Sequence, residues 1–397
     1  MSKKRIALLY GDAGGGHRSA AEAIAQGIRV VHGDAVEPVL VNGLKNAPSP
    51  IKELVETYPQ MVNSARTIYA LGYHAINDKR RLTALREALE PLTEPIVEDL
   101  LRQNPAHVYV SCHPLFNSAV PKMLKRRGAP AKFIHVVTDL VSGHVMHYDE
   151  TADFVIVPTE EARRDAIANH VPIEKIAVCG QPVWPDFRQR MLAGRDTLRQ
   201  ELGFDQRPIL LLMGGGDGMG RIEAIARELM LNIFPNQLPQ IQIQTQPQLQ
   251  VQVQPAPPLD LQLVVVCGRN ERLRERLESV HANIPTRIFG FVKNVPELMG
   301  AADILATKAG PSTICEGFIA GLPIILYDAV PGQEEGNVDY VVSTGAGEWC
   351  PSPIQFRKQI EHWLHHEREM RATCVLSSTL AKPDSALEIA KIIGRYV

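Results

Sequence analysis

Short apolar runs alternate with longer segments of mixed polarity along the first half of the chain. Residues 5–10 (RIALLY) form the first run, residues 36–42 (VEPVLVN) form the second, and an alanine-rich pattern with helical spacing covers 17–31 between them. Apolar runs of this length predict buried strands, and strands that alternate with helices predict a mostly parallel sheet covered on both faces. Further strands are expected at 107–112, 132–139, 153–159 and 175–180.

The alternation starts again after GQPVWPDFR, which ends at residue 188. The pattern therefore predicts an α/β protein with two doubly wound domains, over residues 1–190 and 191–397. The last helical segment, 385–397, suits either domain. The second set of strands is expected within 208–220, 261–270, 286–291, 303–310 and 322–328.

Residues 235–260 interrupt the second domain with glutamine, proline and alternating aliphatic residues. The Ile-Gln and Val-Gln alternation suits a strand ribbon. The repeated prolines and the lack of charge before Asp260 favour a low-complexity surface loop instead. We expect no catalytic role for this insert.

Composition and charge narrow the class of protein. With 397 residues and 45% hydrophobic content the chain is long enough for two packed domains, and a formal net charge of -2 argues against a general nucleic-acid binder. The N-terminal apolar run is too short for a signal peptide, and no stretch approaches the length of a membrane span. The six cysteines show no metal-binding spacing. These features predict a reduced, cytoplasmic protein.

Three consecutive glycines, Gly14 to Gly16, separate the first strand from the first helix, and His17 follows them. The spacing is near that of a phosphate loop, but His17 and Arg18 replace the lysine and the hydroxyl residue that such a loop requires. A helix N-terminus favours the neutral imidazole, which accepts a proton, and the glycines admit a substrate hydroxyl. His17 is therefore a candidate general base. A surface histidine that caps the helix is the alternative.

The segment TKAGPSTICEGFIAGLPII, over 307–325, predicts a diphosphate site in the second domain. Gly310 gives a bare turn, and Ser312 and Thr313 add hydroxyls to the free amides at a helix start. Glu316 follows one turn later on the same face, where its carboxylate can accept hydrogen bonds from a vicinal diol such as a ribose. A capping-box carboxylate on a packed helix is the alternative.

Two other loops complete the candidate ligand site. Gly214, Gly215 and Gly216 follow the first strand of the second domain, where ligands bind in open α/β sheets. The loop PGQEEGN places Gln333 and Glu334 together, and adjacent amide and carboxylate groups suit the binding of several sugar hydroxyls. An acidic loop that serves solubility alone is the alternative.

These motifs together resemble those of a known family. They are GDAGGGH, TDL with a following histidine, LLMGGGDGMG, GFVKNVPELMGAADILATKAGPSTICEG and PGQEEGN. They are similar to motifs of the monogalactosyldiacylglycerol synthase and processive diacylglycerol glucosyltransferase family, a relative of the GlcNAc transferase that makes the peptidoglycan lipid precursor. The likeness runs from about residue 5 to residue 350 and is absent only from the glutamine-rich insert.

The resemblance implies a GT-B fold, with two Rossmann-like domains and a cleft between them. It implies inverting transfer of a hexose, either galactose or glucose, from a UDP-sugar to diacylglycerol, with His17 as the base that activates the acceptor hydroxyl. The donor contacts that it implies are Phe291 and Val292 for uracil, the second glycine loop with Ser312 and Thr313 for the diphosphate, Glu316 for ribose, and Gln333 and Glu334 for the hexose.

The acceptor-side candidates are Gly15, Gly16, His144 and His147. The two histidines lie in VSGHVMHYDE after TDL, where the family carries a tryptophan, so the chain departs from the family pattern there. No DxD sequence occurs. We expect no metal and no other cofactor, with the departing UDP stabilised by a helix N-terminus and hydroxyl groups.

The expected partners are a UDP-sugar, diacylglycerol and an anionic membrane surface, and no nucleic acid. Basic residues cluster at 79–81 and 125–127 (KRR in both), and residues 51–76 mix apolar and polar positions at helical spacing. This pattern predicts peripheral docking at the inner face of the cell membrane. An ordinary amphipathic core helix is the alternative.

Two other functions stay open at this stage. A UDP-GlcNAc 2-epimerase-like enzyme on the same fold would need no lipid, and a nucleotide-sugar sensor would bind without turnover. The sequence does not distinguish galactose from glucose, show whether further sugars are added, or fix the oligomeric state.

Overall fold

The computed structural model describes residues 3–11, 15–45, 49, 52–53, 57, 61–62, 65–141, 143–216, 218, 220–231 and 259–397. Gly14, part of the segment 51–76 and the glutamine-rich insert up to residue 258 lie outside the described residues. The expectations made for those positions therefore stay predictions.

The first half of the chain forms a parallel six-stranded sheet in the order β2-β1-β3-β4-β5-β6. The apolar runs predicted as strands supply all of these elements. The strands are β1 (Lys4–Tyr10), β2 (Val36–Asn42), β3 (Val108–Ser111), β4 (Lys132–Val136), β5 (Phe154–Val157) and β6 (Ile176–Val178).

The second half forms another parallel six-stranded sheet, in the order β12-β11-β10-β7-β8-β9, which is the arrangement of dinucleotide-binding Rossmann domains. The prediction of two doubly wound domains is confirmed. The short strand β12 was not predicted, because three residues carry too weak a pattern. The strands are β7 (Ile209–Met213), β8 (Gln262–Val266), β9 (Thr286–Phe289), β10 (Ile304–Lys308), β11 (Ile324–Asp328) and β12 (Gly347–Trp349).

Helices cover the faces of both sheets. Within the described ranges, none of them is both long and apolar enough to cross a membrane. The helices are α1 (Gly16–His32), α2 (Arg66–Ile76), α3 (Lys79–Gln103), α4 (Ala119–Arg126), α5 (Glu160–Ala168), α6 (Phe187–Arg190), α7 (Arg195–Leu202), α8 (Ile222–Leu231), α9 (Glu271–Glu278), α10 (Val295–Ala301), α11 (Pro311–Ala320), α12 (Glu335–Ser343), α13 (Pro353–His365), α14 (Glu367–Thr379) and α15 (Ser385–Gly394).

The last helix, α15, returns to the first half of the chain. Its Ile389 and Ile393 are buried in the same cluster as Ile24 of α1. The two helices approach closely at Gly27, where an added Cβ would lie 2.4 Å from the carbonyl oxygen of Ala386. The predicted second domain, residues 191–397, includes this helix, whereas the apolar face of the helix packs on the first half of the chain.

Candidate active site

A cavity of about 820 Å³ lies between the two sheets. It lies at the carboxyl ends of the strands, which is where open α/β sheets bind ligands. Residues that follow strands of both sheets line it, namely Gly15, Thr138, Gly215, Gly268, Gly310 and Val330.

His17 lies in the first turn of α1 and lines this cavity. The preceding Gly15 has φ 75, a left-handed conformation that suits glycine and turns the chain into the helix. The Nδ1 atom of His17 lies 3.0 Å from Oγ1 of Thr138, and its ring centroid lies 4.5 Å from that of His113. These contacts lie inside the cleft, so His17 is not a surface cap.

The imidazole of His17 is neutral over the physiological range. Burial lowers its pKa to about 4, and the nearby carboxylate of Asp139 offsets only part of that effect. The sequence predicts that the helix dipole lowers this pKa, whereas removal from water is the largest cause.

Asp139 follows Thr138 and also lines the cavity, although it is 5% exposed. Burial alone raises the pKa of its carboxyl, but the contact with His147 and the amide of Gln333 outweigh burial, so the pKa is lowered. Nε2 of His147 lies 2.8 Å from Oδ2 of Asp139, so His147 holds Asp139 in its ionised form.

A buried chain of imidazoles supports that contact. Nδ1 of His135 lies 3.0 Å from the carbonyl oxygen of Ser111, and Nε2 of His135 lies 3.1 Å from Nδ1 of His147. A carbonyl and a carboxylate only accept, so His135 donates from Nδ1 to Ser111 and His147 donates from Nε2 to Asp139.

Neither of the two histidines predicted on the acceptor side lines the cavity. His147 is 3% exposed, and both of its ring nitrogens contact other buried side chains, so it does not face the cavity. His144 is also buried, and its Nδ1 accepts from the amide of Met146 at the start of a short 3₁₀ turn. Both residues lie behind Asp139, whereas Gly15 and Gly16 do line the cavity.

The N-terminus of α11 faces that of α1 across the cleft. Gly310 precedes the helix, and no side chain caps the first turn of α11. A Cβ added to Gly16 would lie 4.0 Å from Oγ of Ser312, so a larger residue there would narrow the passage between the two helices. Ser312 and Thr313 both line the cavity, which places two hydroxyls beside uncapped amides.

Glu316 is the sixth residue of α11 and also lines the cavity. It is too far from the N-cap, Gly310, to belong to a capping box, which removes that alternative. None of the described residues forms a hydrogen bond with its carboxyl group. Burial raises the pKa of Glu316 to about 8, so its carboxyl group is mostly neutral at pH 7.

The second glycine loop forms the opposite wall. Gly215 and Gly216 line the cavity, while Gly214 is buried and does not. The guanidinium of Arg269 lies 4.7 Å from the ring centroid of Phe291, which is 52% exposed. A flat, exposed aromatic ring beside a cation suits a planar base. Val292 lines the cavity next to it.

Gln333 and Glu334 both line the cavity, but only Gln333 faces the first half of the chain. Its Oε1 accepts from the hydroxyl of Tyr69 at 2.9 Å, and its Nε2 lies 3.4 Å from Oδ1 of Asp139. The carboxylate of Glu334 is bound internally, to Nζ of Lys308 at 2.5 Å and to the amide of Val330 at 2.9 Å. Glu334 therefore holds its own loop, contrary to the expectation that it is free for a sugar.

A further ion pair joins the two halves beside this loop. The guanidinium of Arg66, on α2, donates to both carboxylate oxygens of Asp328 at 2.7 and 3.1 Å, and also to the carbonyl oxygen of Ala329. Sequence reasoning missed this pair and the Lys308 contact. The partners of each pair are distant in the chain, and no local pattern marks them.

Two parallel sheets with a cavity between them are the arrangement of the GT-B fold. A family model for monogalactosyldiacylglycerol (MGDG) synthase matches residues 17–183, and one for the glycosyltransferase family 28 C-terminal domain matches residues 233–371. The chain is 34% identical to "Probable monogalactosyldiacylglycerol synthase 2, chloroplastic" of Oryza sativa subsp. japonica, over 99% of this chain and 80% of the relative. It is 34% identical to "Monogalactosyldiacylglycerol synthase, chloroplastic" of Spinacia oleracea, over 100% and 73%. The chain belongs to the monogalactosyldiacylglycerol synthase family, which confirms the resemblance.

Solved structures agree on the fold. Alr3699/HepE of Anabaena in complex with UDP-glucose aligns with a TM-score of 0.55 at 14% identity, over 99% of this chain and 100% of that one. The UDP-GlcNAc 2-epimerase of Neisseria meningitidis bound to UDP-GlcNAc aligns with a TM-score of 0.57 at 11% identity, over 98% and 100%. Because the same fold includes an epimerase, the fold does not exclude the epimerase alternative, and only the closer relatives bear on activity.

The expected location at the inner face of the cell membrane is wrong. The relatives that share about a third of their residues with this chain are named as chloroplastic enzymes. The physical reason for the error is that a short apolar N-terminal run and a near-neutral charge exclude some classes of protein but identify no compartment.

Proposed function

We propose that this chain transfers a galactosyl group, with inversion, from UDP-galactose to the free hydroxyl of diacylglycerol. The observation that carries the proposal is the meeting of a half-buried, neutral His17 and the uncapped N-terminus of α11 in one cavity. The names of the relatives favour galactose over glucose.

The donor diphosphate lies at the N-terminus of α11. Its negative charge is stabilised by the uncapped amides, the helix dipole and the hydroxyls of Ser312 and Thr313. The described residues contain no group of three or more His, Cys, Asp or Glu arranged to hold a metal ion. We assign the charge that develops on departing UDP to the amides and hydroxyls at this helix start, because donors aimed at a leaving group stabilise the charge that forms on it.

The acceptor hydroxyl approaches from the side of α1. With Nδ1–H of His17 donated to Oγ1 of Thr138, the lone pair of Nε2 is left to take the hydroxyl proton. The acceptor oxygen then bonds to the anomeric carbon as the bond from that carbon to the diphosphate oxygen breaks. UDP leaves with the electron pair, and the proton stays on His17.

The hexose lies beside Gln333 and Asp139, which contact each other from the two halves of the chain. An ionised carboxylate and an amide offer acceptors and a donor to sugar hydroxyls. Uracil lies against Phe291, and ribose lies at Glu316.

The acceptor reaches the cavity from a lipid surface on which α2 docks. Ile68 and Leu71 are 70% and 67% exposed on one face of α2, while Tyr69 on the other face contacts Gln333 of the cavity wall. Exposed basic residues at 79–81 adjoin that helix. An apolar face bordered by basic residues suits an anionic bilayer surface.

Vesicle flotation tests this docking. The double variant Ile68→Ser with Leu71→Ser is expected to lose most binding to vesicles that contain an anionic phospholipid, while Ile173→Ser, an exposed apolar residue elsewhere in the first half, retains it. Equal binding by both variants would remove α2 from the docking surface.

The proposed reaction is tested by separate incubation of the chain with UDP-galactose and UDP-glucose in detergent-dispersed diacylglycerol. Thin-layer analysis is expected to show a single-sugar glycolipid with UDP-galactose, and much less product with UDP-glucose. The proposal would be contradicted if no glycolipid formed with either donor, or if a free epimerised sugar were released.

A further inference from the structure

The side chain of Gln181 is buried in the cavity wall with both of its polar atoms unpaired. It is 2% exposed, and no described residue forms a hydrogen bond with its Oε1 or Nε2. Native proteins leave few buried polar atoms without partners, because desolvation without a hydrogen bond costs folding free energy. An amide in this position on a ligand cavity indicates a contact that the ligand completes.

The backbone holds this side chain in place. Gly180 has φ +94, a conformation that favours glycine, and an added Cβ would lie 2.6 Å from Cβ of Lys382. The carbonyl oxygen of Gln181 accepts from Oγ of the buried Ser385 at 2.6 Å, and the amide of Val183 donates to the same Oγ at 3.2 Å. Gln181 is therefore presented to the cavity from a fixed turn at the end of the first half.

The helix α11 of the second half adjoins this turn. The backbone of Gln181 contacts the thiol of Cys315, and the next residue, Glu316, presents its own unpaired carboxyl to the same cavity. Two unpaired polar groups, one from each half of the chain, thus line the same cavity.

We propose that Gln181 binds the ribose of the UDP-sugar together with Glu316, and this inference rests on the proposed function. A vicinal diol that donates its hydroxyl hydrogens to the carboxyl of Glu316 keeps lone pairs on its oxygens, and these need a donor. Nε2 of Gln181 supplies that donor. The first half of the chain therefore contributes to donor binding, and both contacts to the ribose form only when the two halves are packed against each other.

Calorimetric titration of the full chain with UDP and with 2′,3′-dideoxy-UDP tests this assignment. Gln181→Leu is expected to weaken UDP binding by roughly 3- to 10-fold, the effect of one lost neutral hydrogen bond. The preference for UDP over the dideoxy analogue should shrink by the same factor, because the variant no longer reads the hydroxyls. Gln200→Leu, on the exposed face of α7, is the matched control and should leave both affinities unchanged.

The same variant separates ligand binding from a structural role. Replacing a buried unpaired amide with leucine should leave the thermal melting temperature unchanged or raise it. A lower melting temperature with unchanged UDP affinity would overturn the inference, and so would equal loss of affinity for UDP and its dideoxy analogue. Failure of the unaltered chain to bind UDP at all would overturn the proposed function and this inference with it.

Discussion

Oγ1 of Thr138 lies 3.0 Å from Nδ1 of His17 and joins the loop after β4 to the first turn of α1. The contact orients an imidazole that would otherwise be free to rotate about its χ2 angle. In the proposed mechanism Nδ1 of His17 donates to this hydroxyl, which leaves the lone pair on Nε2 for the acceptor proton. The contact therefore fixes the position of the proposed base and is compatible with the tautomer that the mechanism needs.

Thr138→Val keeps the shape of the side chain and removes that hydroxyl. We expect kcat to fall by roughly 3- to 10-fold, which corresponds to about 1 kcal/mol for one hydrogen bond, with the affinity for UDP unchanged. Steady-state kinetics and UDP titration measure the two effects. Thr138→Ser keeps the hydroxyl and should restore most of the rate, so equal rates for the valine variant and the unaltered chain would show that the contact is not used.

His147→Ala removes the partner that keeps Asp139 ionised. Asp139 stays buried without this partner, and loss of a hydrogen bond to a charged group costs about 1.5 to 3 kcal/mol, so we expect a decrease of that order in the free energy of unfolding at pH 7. The pKa of Asp139 is lowered in the folded chain, so the stabilisation is present above the unfolded value of about 3.9 and is lost as pH falls through the folded value.

Urea unfolding across pH measures this difference. The difference in the free energy of unfolding between the unaltered chain and His147→Ala should be largest near neutral pH and should shrink in the acid range. His281→Ala, at an exposed position, is the control and should change stability little. A gap of the same size at every pH would mean that His147 contributes packing alone.

Glu316→Gln tests the ribose contact through its pH dependence. Burial raises the pKa of Glu316 to about 8, so a ligand that binds the ionised form must first ionise the group at lower pH. The advantage of the unaltered chain in UDP affinity should therefore grow from almost none at pH 6.5 to roughly 5- to 30-fold at pH 8.5, or about 1 to 2 kcal/mol.

The expected effect of Glu316→Gln on stability is opposite to its effect on UDP affinity. Because the folded chain holds the neutral carboxyl, ionisation opposes folding as pH rises, and glutamine removes that penalty. Glu316→Gln should melt at an equal or higher temperature at pH 8.5. A constant affinity ratio across pH, or a lower melting temperature, would count against a ligand role for Glu316.

Chelation tests how the diphosphate is handled. EDTA is expected to leave most of the transfer activity intact, since the N-terminus of α11 with Ser312 and Thr313 supplies the donors that the leaving group needs. Activity is measured before and after dialysis against the chelator. Complete loss that Mg²⁺ or Mn²⁺ restores would show that a cation carries out this role.

The sequence predicts the fold well because both sheets are built from buried parallel strands. Such strands appear as nearly uninterrupted apolar runs. Strands β7 and β8, for example, are buried at every residue. The last helix was harder to place, because its apolar stripe is complementary to a face of α1 that lies over 350 residues away in the chain. Amphipathic spacing shows that a helix packs, but it does not show which half it packs on.

The candidate site was predicted in part, and the difference follows from the range of the contacts. Glycine loops and helix starts are local features, so His17 and Ser312 could be placed on the cavity from their neighbours in sequence. Glu334 could not be distinguished from Gln333, because the lysine that binds it, Lys308, lies at the end of β10, far from Glu334 in the sequence. His147 was predicted on the acceptor side, while its buried contact with Asp139 depends on how the loop after β4 folds back.

The central claim is that His17 is the general base, and the most direct measurement is the kcat of His17→Ala with UDP-galactose and diacylglycerol. We predict a fall of roughly 10²- to 10⁴-fold in kcat, the range for loss of a general base, with a dissociation constant for UDP that changes little. Turnover equal to that of the unaltered chain would contradict the account. A loss of UDP affinity that alone explained the lower rate would contradict it as well.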